Sequence, residues 1–156
     1  MTNNKTGSDL TKQPPRSPKV KIGGFAIIAR TIDKCRATLF GNVGEYHFDC
    51  PLDNSLFSFK GIKGADFKAY VAEGHSDDDI AGWVASHGTP KTDAEISAWS
   101  SKVIADNYAD KPDKKPWLEG ENARLGLDKD GTLFDYLEAD DKASFKGSDG
   151  SAVCPA

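Results

Sequence analysis

From Phe25 onward, apolar residues recur at Phe25, Ile28, Ile32, Cys35 and Leu39. Steps of three and four residues place all five on one stripe of an α-helix, and a stripe that apolar needs a partner surface to cover it. Gly41 supplies the left-handed residue that commonly ends such a helix. Arg30, Asp33, Lys34 and Ala37 lie away from the stripe, while Arg36 sits one turn beyond Ile32 and reaches around its edge.

The same periodicity continues in shorter pieces. Leu52, Leu56 and Phe59 predict a helix with Asp53 placed to cap it and Gly61 to stop it. Phe67, Tyr70 and Val71 form the face of the next, which Gly74 ends. Ser76–Asp79 and Thr92–Glu95 both read as capping-box starts, for helices that bury Ile80, Trp83 and Val84, then Ile96, Trp99 and Val103. After an exposed loop holding Pro112 and Pro116, Trp117, Leu118 and Leu125 suggest an irregular helix. Thr132 starts a last one with Leu133, Phe134 and Leu137. No run of β-branched alternation competes. The expected fold is all-α: a compact orthogonal bundle of five to seven short helices, with one small β ribbon near residues 45–48 allowed as the exception.

The 156 residues suit one domain able to bury roughly two thirds of its unfolded surface. At 38% hydrophobic and 28% charged the chain is globular in composition, and it lacks the run of about 18 apolar residues that would suggest a spanning helix. The polar N-terminus has no apolar signal region, which makes the cytoplasm the expected compartment. Cys35, Cys50 and Cys154 are an odd set without paired spacing, so reduced thiols are expected, with Cys154 the accessible one. Residues 1–19, with Pro14, Pro15 and Pro18 and few buriable groups, read as a disordered basic arm. The helical domain then spans 20–145, and 146–156 is a flexible tail. Through residue 21 the arm holds five cations against Asp9, a balance of +4 that leaves −8 on the rest of a chain of net charge −4. An acidic body of pI 5.3 argues against specific nucleic-acid binding. The arm either meets a partner or folds back on the acidic face.

Several blocks carry a family resemblance. The segments RSPKVKIGGF, ARTIDKCRATL, GEYHFDCPLDNSLFSFKGI and VAEGHSDDDIAGWV resemble the bacterial family catalogued as domain of unknown function 5069. The likeness is strong from Pro15 to Trp83 and looser beyond. Ala29 stands where the family usually has proline, and Phe48-Asp49 where it has Tyr-Asn, while the EYH and CPLD pieces are intact. The resemblance implies no activity, cofactor or partner.

The connection between the first two helices concentrates the reactive side chains. His47 and Cys50 form a candidate base and nucleophile, with Glu45 as a further candidate, because an imidazolium lowers the pKa of a neighbouring thiol. Extended geometry would point His47 and Cys50 to opposite faces, and Pro51 biases Cys50 toward it. A lone H-x-x-C half-site with Cys35 is too little for zinc, so neither metal nor cofactor is expected. The segment DKDGTLFD, Asp128 to Asp135, copies the nucleophile motif of haloacid-dehalogenase-type phosphotransferases, but no buried strand precedes it and no large α/β domain follows. The most coherent cluster is electrostatic: Arg30, Arg36, Glu45, His47, Asp49 and Asp53, either an ion-pair brace or an anion pocket in which His47 and Glu45 handle a proton. On balance the expected function is a non-catalytic binding or adaptor module whose partner is another protein or a small anionic ligand. The alternative is a small enzyme or ligand-binding protein with a polar pocket around Glu45, His47 and Arg36.

Overall fold

A computed structural model describes residues 8–145. It contains seven α-helices: α1 (Ile28–Phe40), α2 (Pro51–Lys60), α3 (Gly64–Ala72), α4 (Asp77–Ser86), α5 (Asp93–Ile104), α6 (Lys115–Arg124) and α7 (Leu133–Ser144). The all-helical architecture is as the periodicity implies. Residues 45–48 form no ribbon. The one β-bridge among the described residues joins Ile22 and Phe25, so the chain turns just before α1 and Phe25 lies outside the helix.

The caps follow their chemistry. Ser76, Thr92 and Thr132 accept hydrogen bonds from the backbone N–H groups of Asp79, Glu95 and Asp135, and Glu95 completes a reciprocal capping box. Gly41 closes α1 at φ 80°, a region costly to residues with a Cβ. Asp53 departs from its expected role. It lies in the first turn of α2, whose N-cap is Cys50, and its carboxylate turns inward.

α1 is the axis of the molecule. Its apolar stripe, Ile28, Ile32 and Cys35, packs with Leu56 and Phe57 of α2, Phe67 and Val71 of α3, and Ile80 and Val84 of α4. The opposite face is buried too, because every residue from Ile28 to Ala37 is shielded from solvent. Spacing sets Arg30, Asp33 and Lys34 off the stripe, yet they are 2%, 5% and 1% exposed. Ion pairing makes this tolerable, since a buried charge survives only when paired and hydrogen-bonded.

Part of that cover comes from residues 8–19, which corrects the expectation of a disordered arm over this stretch. Leu10 is fully buried, clustered with Ala37 and Tyr46. Pro15 and Pro18 are also buried. Arg16 holds Asp33 of α1 through Nη2 at 3.0 Å and Asp77 of α4 through Nη1 at 2.8 Å. Lys19 reaches Asp135 and Glu138 of α7. The basic segment has found the acidic face of its own body. The expected tail at 146–156, Cys154 included, lies outside the described residues.

Candidate functional site

The residues singled out by sequence do not form one cluster. Arg30 and Asp53 belong to the buried ionic layer. Arg30 Nη1 and Nη2 donate to Asp141 of α7 at 2.8 and 3.2 Å, and the guanidinium lies 5.4 Å from the centre of the Tyr46 ring. The Tyr46 hydroxyl donates to the same carboxylate at 2.8 Å. Asp53 accepts from Thr31 Oγ1 at 2.7 Å and from the Asp49 N–H at 2.8 Å, and pairs with Lys34 Nζ at 3.0 Å. Burial pushes the Lys34 ammonium below its ordinary value, opposed by the Asp53 carboxylate. The charged groups here are engaged with one another, so this layer has the chemistry of a brace.

Arg36 turns the other way, donating to Asp77 and to the His75 carbonyl, each at 3.0 Å. Burial acts to raise the Asp77 pKa, but Arg16 and Arg36 outweigh it and hold the carboxyl below its ordinary 3.8. A carboxylate depressed in the folded state contributes stability that is complete above the unfolded value and disappears as pH falls through the folded one. Asp77→Asn is therefore expected to cost about 1 kcal/mol near neutral pH, as befits a pair that is a third exposed on one side. The gap between variant and wild type, read by urea unfolding at several pH values, should close below about pH 4. A gap that persists undiminished at pH 3 would contradict the assignment.

Glu45 and His47 stand exposed, and among the described residues no hydrogen bond or ion pair joins either to Arg30 or Arg36. His47 and Asp49 border a shallow groove with Tyr46, Phe48, Ala65 and Lys68. Cys50 is buried, 3.3 Å from Lys34 Nζ, and disulfide-bonded, which removes it as a nucleophile in this state, whereas Cys35 is a free, buried thiol, so the expectation of reduced thiols holds at Cys35 and is corrected at Cys50. Among the described residues no group of three or more His, Cys, Asp or Glu is arranged to hold a metal. Asp128 and Asp130 occupy the turn between α6 and α7, where Asp128 Oδ1 accepts the Asp130 N–H at 3.0 Å, with a helix rather than a strand before them.

A more enclosed cavity lies elsewhere, where four helix ends meet. It measures about 330 Å³, within the usual range for small-molecule pockets. Trp99, Lys102, Val103 and Asp106 reach it from one side at the three- and four-residue steps of α5 and its exit. Pro51, Leu52 and Ser55 come from the start of α2, and Leu133 and Phe134 from the start of α7. Ile27, at the N-cap position of α1, and the loop residues Tyr108, Lys111 and Lys114 complete the lining. Burial is graded across it. Ile27, Leu52, Leu133 and Phe134 are buried, whereas Lys111 and Lys114 are half-buried and Lys102 is exposed, so apolar walls lead to a cationic mouth.

Two features mark this cavity as more than a packing defect. Ile27 and Tyr108 both line it at positive φ, 73° and 63°, a conformation that is an outlier for a β-branched residue and uncommon for tyrosine. Ile27 is held there by its N–H to the Pro18 carbonyl at 2.8 Å and by its own carbonyl, which accepts the Thr31 N–H at 3.0 Å. Tyr108 is 7% exposed, and its hydroxyl has no hydrogen-bond partner among the described residues. Burial raises the phenol above its ordinary value, with Asp106 adding to the effect and Lys111 opposing it. The group thus stays protonated and available as a donor at neutral pH. Of the helix starts that meet here, sequence marks that of α7 by its Thr132 cap, whereas α1 begins three residues after Phe25 and α2 is capped at Cys50 rather than Asp53; their convergence depends on tertiary packing.

The class defined here is a single-chain helical bundle with an ionic layer around its central helix and a lysine-rimmed cavity at its helix ends. The chain belongs to the family described as Domain of unknown function (DUF5069), whose model matches residues 12–143. Comparison with curated proteins finds no match. No helix among the described residues is long and apolar enough to cross a membrane.

Proposed function

We propose that this protein is a non-catalytic binding module whose ligand is a small anion with an apolar body, held in the cavity between α1, α2, α5 and α7. The observation that carries this reading is the pairing of apolar walls with three lysines against one aspartate, on a chain whose net charge is −4. A local surplus of positive charge on an acidic protein focuses anions toward the cavity, and the walls reward an apolar body with burial. Catalysis would ask for a base, an orienting partner and a stabiliser around one reacting atom. The side chains whose chemistry suits that work, Glu45 and His47, are exposed and share no hydrogen bond with Arg36, which is engaged with Asp77 and His75.

The test uses 1-anilinonaphthalene-8-sulfonate, an apolar body carrying one negative charge. Its binding is followed by its own fluorescence. Val103→Trp should fill the cavity from α5 and weaken binding at least tenfold, about 1.4 kcal/mol, while circular dichroism remains helical. Equal binding by wild type and variant would place the probe elsewhere and defeat the proposal.

A further inference from the structure

We infer that the ligand's charged end is a dianion, a phosphate monoester, with an aromatic or short apolar group as its body. This rests on the binding role proposed for the cavity and narrows its ligand. Lys111 is already committed, to Asp106 at 3.1 Å and Asp110 at 3.5 Å. Lys102 and Lys114 have no ion-pair partner among the described residues. Lys114 Nζ lies 5.7 Å from the centre of the Tyr108 ring, whose hydroxyl is left without an acceptor. Two uncommitted cations and a neutral phenolic donor suit a group with two negative charges and several acceptor oxygens.

The backbone adds to this. The N-terminal ends of α1, α2 and α7 all border the cavity, through Ile27, through Pro51 and Leu52, and through Leu133 and Phe134. That of α1 has neither a side-chain cap nor an acidic residue in its first turn, whereas α2 begins with Pro51, which has no N–H to offer, and carries Asp53 in its first turn. Uncapped helix starts carry partial positive charge and unsatisfied N–H groups, which favour phosphate. The apolar walls then account for an organic body, which inorganic phosphate lacks.

Phenyl phosphate, benzoate and inorganic phosphate are the probes, titrated into the full-length protein by calorimetry at pH 7.5. Phenyl phosphate should bind at least tenfold more tightly than either of the others. Its affinity should fall as the pH drops through about 6, where a phosphate monoester loses its second charge. Lys114→Gln and Lys102→Gln should each weaken phenyl phosphate severalfold and leave benzoate less affected, and Tyr108→Phe should do the same with the fold intact. Benzoate binding as tightly as phenyl phosphate would overturn the dianion while leaving the cavity's binding role in place. Binding of the anilinonaphthalene probe without phenyl phosphate would do likewise. If none of these molecules binds, both proposals fail. Phenyl phosphate binding that survives Val103→Trp would overturn the assignment to this cavity.

Discussion

Replacing Asp53 by alanine is expected to destabilise the protein by about 3–5 kcal/mol, the usual cost of removing one partner from a buried ion pair. Asp53 is fully buried and Lys34 is 1% exposed, so the ammonium left behind would have no water to replace the carboxylate. Thr31 Oγ1 and the Asp49 N–H would lose their acceptor at the same time. Urea unfolding should show the loss directly. The double variant Lys34→Met with Asp53→Leu should recover the part due to the unpaired ammonium, because a buried pair is often replaceable by apolar groups of similar volume, while Thr31 Oγ1 and the Asp49 N–H stay without their acceptor. A loss below about 1 kcal/mol for Asp53→Ala would show that Lys34 finds another partner or reaches solvent.

The same residues show what can be read from the chain and what cannot. The stripe of Ile28, Ile32 and Cys35 and the caps at Ser76, Thr92 and Thr132 are local signals, set by spacing or by a side chain three residues from its target. They survive folding unchanged. Arg30, Asp33 and Lys34 carry no such signal. A charged residue off an apolar stripe ordinarily faces water, and these three do not because Asp141, Arg16 and Asp53 arrive from distant parts of the chain. Asp53 itself resembles an N-cap by type and position, but Thr31 and Lys34 draw its carboxylate inward. The candidate cluster is therefore half visible: Arg30 and Asp53 do join the ionic layer, while Glu45 and His47 sit on a turn that faces solvent. The cavity is less visible still. Its lining comes from residue 27 to residue 134, and its two strained residues, Ile27 and Tyr108, are conformational facts without a compositional trace.

Removing residues 1–19 is expected to be as damaging as breaking the buried pair, at about 5 kcal/mol or more, enough to unfold a domain of ordinary stability. Losing Leu10 from its cluster with Ala37 and Tyr46 should account for about 2–5 kcal/mol. Loss of Arg16 leaves Asp33, 5% exposed in the folded chain, without its guanidinium, and opens the ionic face of α1 to water. A third effect is specific to the ligand cavity. The Pro18 carbonyl that accepts the Ile27 N–H lies in the deleted segment, so any folded remainder would lose one of the two hydrogen bonds holding Ile27 at its positive φ. Thermal melts of a chain beginning at Val20 should lose cooperativity or shift strongly downward, and binding of the anilinonaphthalene probe should weaken with them. Leu10→Ala and Arg16→Met in the full chain separate the apolar and ionic contributions without cutting the backbone. If the truncated chain melts at the same temperature and with the same sharpness as the full one, residues 8–19 merely rest on the surface, and the charged face of α1 is stable without them.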